Sequence, residues 1–424
     1  MNIANLFEND GRVRVAVIGE GPAGMMAATV AAESGAEVII FEKNDKAGKK
    51  LRITGKGRCN VTNDSTNQDL MAAIPTNPKF LFAAFNRFSS ADTKSFFESH
   101  GVPLKVERGK RVFPVSDRAS DIVNAMVKAC RDAGVKVVRE KITSLDIRDG
   151  KVCGVCNSNS VCECDSVIVC TGGKSYSMTG SDGDGYKFAR AAGHKIVEPK
   201  PSLVPIVADG NLCQRMQGLS LKNIGFKIVD NNSGKCVYDD FGELMFTHFG
   251  LTGPVVLSAS AHIPDIEKGK YTAYIDMKPA LTHEELDKRI ISDFAKYINK
   301  DFINSLSDLL PLKSIDIIAE CSGIDDRKKV NSITKEERSA LALAIKGLKI
   351  PLLRFRPIDE AIITKGGVDV REVSPKTMES KLCRGLFFAG EVLDLDAYTG
   401  GFNLQIAFST AVCAGENAAW NFEA

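Results

Sequence analysis

No run of apolar residues in the chain approaches the roughly 18 that would suggest a membrane span. The opening stretch, Met1 to Gly11, carries Glu8 and Asp10 and lacks the apolar segment of a secretory signal. No block of Lys and Arg concentrates positive charge, and the formal net charge is only +2. Without such a field, neither nucleic acid nor acidic membrane is an expected partner, and a small-molecule substrate is. Internal repeats and low-complexity linkers are absent as well. Twelve cysteines are scattered through a chain with no export signal, and a reducing compartment would keep them as thiols. The expectation is a cytoplasmic protein without membrane insertion.

The densest cysteine cluster, Cys153, Cys156, Cys162, Cys164 and Cys170, lies in text that alternates like a hairpin followed by a strand. Residues three apart on a strand point to opposite faces, which suits packing of small apolar side chains better than chelation, so no metal is expected.

What the chain does have is length and order. Its 424 residues exceed the usual domain of roughly 100–200 residues and predict two or three domains. Val13 to Gly19 is an apolar strand, a Gly-rich turn follows, an Ala-rich helix runs from Ala23 to Ser34, and Glu37 to Glu42 is the next strand. This is a βαβ unit. The segment 12–198 reads as the first part of a nucleotide-binding domain and 199–281 as a β-rich substrate domain. From 282 to 349 the period becomes helical, with Leu286, Ile290, Phe294 and Ile298 four apart and capping boxes at Thr282–Glu285 and Thr334–Glu337. The segment 350–424 returns past the β-rich insert and completes the first domain.

Gly19-Glu-Gly-Pro-Ala-Gly24 matches G-x-G-x-x-G directly after a strand and opening a helix, the context that gives the motif meaning. Gly19 permits the tight turn, Gly21 lets backbone approach a pyrophosphate, and Gly24 lets helix pack closely on sheet. Glu42, at the end of the second strand, is placed to accept hydrogen bonds from ribose hydroxyls. Pro22, Ala23 and Lys43 flank these contacts. There is no second G-x-G-x-x-G after a strand; Gly180-Ser-Asp-Gly-Asp-Gly185 reads as a connection into a helix from Tyr186 to Ala192.

Cys170-Thr-Gly-Gly173 closes the apolar strand from Asp165, and Gly385 to Glu391 is another strand ending in Gly-Glu. These resemble the second and third dinucleotide contacts of two-dinucleotide-binding flavoproteins. Three contacts spread over the chain resemble FAD binding more than NAD binding. Three longer segments make the resemblance specific: Lys49 to Asn63, with Gly-Lys-Gly-Arg-Cys-Asn at its centre, Phe246 to Pro254, and Gly390 to Gln405. They are similar to a bacterial FAD-dependent family that includes aminoacetone oxidases and the clostridial bile-acid 3-oxo-Δ4 reductase.

The resemblance implies an α/β fold in which a Rossmann-type FAD-binding domain is interrupted by a β-barrel-like insert and a small helical subdomain. It places Arg58 and Asn60 along the pyrophosphate and flavin, has Thr54 and Gly57 shape their loop, and adds Ile142, Thr171, Gly172, Gly390, Glu391 and Asp394 to the cofactor contacts. Cys59 is read as a packed small residue, with redox activity beside the flavin as the alternative. Gly401, Asn403 and Leu404 open a last helix whose positive end would face the flavin and favour its reduction. His248 and Tyr398 are the candidates for proton transfer. The implied activity is transfer of hydride from reduced flavin to an activated C=C bond, such as the enone of a 3-oxo-Δ4 steroid, with NADH or NADPH as a transient donor. The alternatives are an amine oxidase using oxygen, and a flavin-dependent redox-sensing or binding protein.

Overall fold

The first apolar run forms β1 (Arg14–Ile18), and β2 (Glu37–Phe41) is buried along its whole length. Continuous runs of Val and Ile are what a parallel strand covered on both faces requires. Between them α1 (Pro22–Glu33) begins with proline where the helix would leave an N–H unpaired in any case. Two strands from the middle of the chain, β3 (Lys136–Val138) and β4 (Ser166–Val169), and one from its end, β5 (Leu386–Phe388), join them. The sheet is wholly parallel, in the order β5-β4-β1-β2-β3. Strand order reverses between β1 and β4, the place where such sheets open a crevice at their carboxyl ends.

The last helix, α2 (Phe402–Ala418), is apolar nearly all round and correspondingly buried. Small residues let it approach α1: a Cβ on Gly415 would lie 2.5 Å from the carbonyl oxygen of Ala27. Its buried Gln405 is fully engaged. The side-chain oxygen accepts from the hydroxyls of Thr62 at 2.6 Å and Thr93 at 2.8 Å, and the amide nitrogen donates to the carbonyl of Phe88 at 3.1 Å. The start of α2 is thereby tied to the strand Thr62–Asn63.

The structure, a computed structural model, describes residues 1–8 and 10–420. They form two compact units, one containing the chain up to Ser202 together with the segment from Ile358 onward, the other Leu203–Pro357. The cysteine-rich text of the first unit is an antiparallel meander, Ser144–Arg148, Lys151–Cys156 and Val161–Glu163. Cys162, Cys164 and Cys170 are buried, and all twelve cysteines are free thiols.

The second unit is a closed six-stranded barrel, ordered Ile206–Ala208, Gly250–Thr252, Cys236–Phe246, Ser220–Asp230, Tyr271–Asp276 and Leu348–Phe355. Neighbours pair antiparallel throughout, and closure leaves no exposed edge for another chain to pair with. Alternate residues point inward, including Phe226, Ile228, Ala273, Ile275 and Ile350. The helices His283–Lys296, Leu312–Ser322 and Lys335–Lys346 share a single hydrophobic core with the barrel strands. Both expected capping boxes are formed, Thr282 with Glu285 and Thr334 with Glu337.

The Thr334 box satisfies two N–H groups that would otherwise lack partners. Thr334→Ala is expected to destabilise the protein by about 1 kcal/mol, read as a lower urea midpoint with an unchanged denaturant slope.

Candidate active site

A cavity of about 200 Å³ opens where the sheet strands end, lined by Ile18, Phe41, Cys170 and Ala389 at or just after the last residues of β1, β2, β4 and β5. All of its lining residues belong to the first unit. The glycine loop forms one wall. Gly24 leaves no room for a side chain, since a Cβ there would lie 1.8 Å from the carbonyl oxygen of Gly19. Gly21 is the opposite case. Its backbone is extended (φ −84°, ψ −176°) and its added Cβ would meet nothing within 4 Å, so the fold itself places no demand for glycine there. The open space lies at the start of α1, which has no side-chain cap, so its first N–H groups are available to an anion.

Glu42 ties the second strand to this loop. One carboxylate oxygen accepts from the N–H of Glu20 at 2.7 Å, the other from the N–H and the side-chain amide of Asn44, both at 2.7 Å. Each oxygen has two acceptor positions, which leaves room for a ribose hydroxyl at the oxygen facing Glu20. Thr171 lines the cavity, and its buried hydroxyl has no hydrogen-bond partner. An uncapped helix start, reserved space at Gly21 and an unpartnered hydroxyl fit a dinucleotide with a pyrophosphate and sugar hydroxyls.

At the third contact Glu391 is already committed. Its carboxylate receives Lys50 Nζ at 2.7 Å, Ser175 Oγ at 3.0 Å and the N–H of Thr364 at 2.9 Å. Lys50, which the sequence did not single out, also donates to Ser175 Oγ at 2.6 Å and lines the cavity. Asp184 was missed as well. Burial works against its ionisation, but Lys187 at 2.9 Å and Lys43 at 3.1 Å, with Lys141 at 3.4 Å, outweigh burial and hold its carboxyl well below the usual range. The signal for both was present only as lysines without a motif around them.

Of the residues singled out in the sequence, Gly19, Gly21, Pro22, Ala23, Glu42, Lys43, Thr54, Ile142, Thr171, Gly172, Gly390, Glu391, Asn403 and Leu404 line this one cavity. Gly24, Gly57, Arg58, Cys59, Asn60, Asp394 and Gly401 do not. Arg58 departs most from the expectation of a pyrophosphate contact. Its guanidinium is paired with Glu107 in the hairpin that follows and with Asp117 in the turn after that hairpin, and it sits 4.2 Å above the Phe113 ring. Gly401 serves packing: a Cβ would lie 2.3 Å from the carbonyl oxygen of Thr62. Asp394 is half held by Asn77, at 3.1 Å, and burial raises its carboxyl above the ordinary range, with Asp396 nearby adding to the rise.

Cys59 is fully buried, and burial pushes its thiol up to about 12, the opposite of what a reactive thiol needs. Neither proton-transfer candidate lines the cavity. His248 is exposed in a turn of the barrel unit, its ring edge-on to Phe249. Tyr398 is half-buried in the loop before α2, and Asn403 clamps that loop by exchanging hydrogen bonds with Ala397 at 2.9 and 2.8 Å.

Fold and cavity together define a Rossmann-type dinucleotide-binding protein, an FAD-dependent oxidoreductase. The chain belongs to the family described as HI0933-like protein Rossmann domain, whose model matches residues 13–417. It is 30% identical over 416 residues to a 3-dehydro-bile acid delta(4,6)-reductase of Clostridium scindens, covering 96% of this chain and 99% of that protein. It is 28% identical over 400 residues to a ribosomal RNA dihydrouridine synthase of Escherichia coli, covering 94% and 96%. Among solved structures, the 3-ketosteroid-Δ4-(5α)-dehydrogenase of Rhodococcus jostii RHA1 aligns with a TM-score of 0.49 at 15% identity, covering 99% of this chain and 100% of that one.

Two outcomes separate site from scaffold. Gly21→Val is expected to leave the thermal unfolding of the apoprotein unchanged while abolishing FAD binding, whereas Gly24→Val lowers folded yield itself; melting curves and flavin content measure the two. Iodoacetamide at neutral pH followed by mass spectrometry is expected to modify the exposed Cys236 and leave Cys59 untouched in the folded protein.

Proposed function

We propose that this protein reduces a C=C bond conjugated to a carbonyl, the enone of a 3-oxo-Δ4 steroid or bile-acid intermediate being the substrate class, with NADH or NADPH as electron donor. The observation that carries this reading is one continuous cavity reaching from the glycine loop to the start of α2, in a chain whose full-length relatives bear the names of a bile-acid reductase and a dihydrouridine synthase. Both names describe addition of two hydrogens to a double bond polarised by a neighbouring carbonyl. Reduced FAD supplies the hydride for such a bond.

The chain's own residues have separate tasks. The N–H groups at the start of α1 would hold the pyrophosphate, and Glu42 would hold a ribose. The start of α2, with no side-chain cap and with Asn403 and Leu404 on the cavity wall, would offer its positive end to negative charge on a reduced flavin. Lys50 and Glu391, joined through Ser175, form a fixed ion pair on the same wall. Hydride addition at the β-carbon leaves an enolate on the substrate, which needs a hydrogen-bond donor at oxygen and a proton at the α-carbon. Neither Tyr398 nor His248 lines the cavity; of the two, the loop of Tyr398 is the one hydrogen-bonded to a cavity residue, Asn403.

A second reading is reduction of a uracil base in RNA, favoured by the dihydrouridine synthase relative; it would replace the expected small molecule by a nucleic acid. With no second glycine-rich motif after a strand, a nicotinamide donor would have no domain of its own and would bind transiently.

The test is anaerobic reduction of FAD-replete protein with NADH or NADPH, followed at the visible flavin band, and then mixing with an oxidant. Fast bleaching reversed by a 3-oxo-Δ4 steroid is the expected result. Reversal by a ribosomal RNA transcript and not by steroid would select the second reading. Bleaching by an amine alone, with recovery only in oxygen, would overturn both in favour of an oxidase.

A further inference from the structure

Glu20 occupies the second position of the glycine motif, between Gly19 and Gly21, and its side chain is only 4% exposed. It lines the cavity at the start of α1. A carboxylate at this point is an electrostatic obstacle: the pyrophosphate of a dinucleotide brings two negative charges to the N–H groups that follow Glu20, and repulsion inside a partly desolvated cavity is screened poorly.

The structure supplies one compensating charge. Arg139, directly after β3, donates from Nη1 to the Glu20 carboxylate. The remaining acids on the cavity wall have other partners. Glu42 accepts three N–H bonds, Asp184 is held by lysines, Glu391 by Lys50, and Glu140 by the terminal ammonium at 3.2 Å. Glu20 therefore depends on Arg139 alone among the described residues. Arg139 does not line the cavity, and its side chain is 43% exposed, so it acts on the loop through Glu20 and not by touching a ligand.

We propose that Arg139 is a positioning residue for the cofactor: by neutralising Glu20 it allows the glycine loop to receive a pyrophosphate, and the Glu20–Arg139 pair sets the affinity for FAD. The proposal rests on the assignment of the pyrophosphate to this loop. It makes an asymmetric prediction. Removing the cation leaves a bare carboxylate facing the phosphates, removing the carboxylate relieves the loop, and removing both restores neutrality.

The experiment measures binding of FAD, FMN and riboflavin to the full-length apoprotein by quenching of flavin fluorescence at low and at physiological salt, with a melting curve for each variant. Arg139→Gln is expected to weaken FAD by about tenfold or more, with the loss larger at low salt and absent for riboflavin, which has no phosphate. Arg139→Lys retains wild-type affinity. Glu20→Gln binds FAD at least as tightly as wild type, and it carries the test if Arg139→Gln fails to fold, since it leaves no unpaired buried charge. The double variant Glu20→Gln/Arg139→Gln returns to wild type. Equal losses for FAD and riboflavin, a double variant as weak as Arg139→Gln, or weakened FAD binding by Glu20→Gln would overturn the proposal. Failure of wild type to prefer FAD over riboflavin would instead remove the pyrophosphate assignment beneath it.

Discussion

The carbonyl oxygen of Gly19 stands where a side chain on residue 24 would have to be, and that contact governs the first unit. Only with hydrogen at this position can the chain turn directly from β1 into α1, so that the helix begins against the strand it leaves. The turn places the first N–H groups of α1 at the carboxyl end of the sheet. Because the sheet is parallel, β2, β4 and β5 deliver their own ends to the same place, although they come from residues as far apart as Phe41 and Ala389. A loop that could be built otherwise would not force a cavity at that point.

Within the cavity, charge is arranged pair by pair. Three of the acids on the wall have a cationic partner that is remote in the chain: Glu391 with Lys50, Asp184 with Lys43 and Lys141, Glu20 with Arg139. Such pairs add little net field, which agrees with the near-neutral composition, but they fix side chains that would otherwise lose rotamer freedom only on binding. The wall is thereby prepared for a ligand before one arrives. The same pairing explains Arg58. A guanidinium follows the closest carboxylates, and the hairpin that carries Glu107 provides one at the distance of a direct hydrogen bond.

Much of this was legible in the residues. Apolar runs bounded by glycine gave four of the five strands of the sheet, though not the short β3, and Thr-x-x-Glu boxes gave the helices His283–Lys296 and Lys335–Lys346 but not Leu312–Ser322, which has no such box; the glycine spacing located the cavity wall. These are local effects: backbone sterics, capping and side-chain periodicity act within a few residues, so a short window of text contains them. The long motif around Gly-Lys-Gly-Arg-Cys-Asn was less informative about side chains than about place. Its first residues, Lys49 to Leu51 and Thr54, line the cavity, yet Arg58 pairs with Glu107 and Asp117, and Cys59 and Asn60 do not line it.

The sequence by itself determined the βαβ start, the class of cofactor fold, the discontinuous return of the chain end, and the residues of the glycine loop, because each depends on neighbours in the chain. Tertiary structure alone decided which charges meet, which cysteine is sealed at 0% exposure, and that neither His248 nor Tyr398 lines the cavity. Ion pairing and burial depend on distances between segments hundreds of residues apart, and a few ångströms separate a carboxylate that holds a ligand from one already held by a lysine.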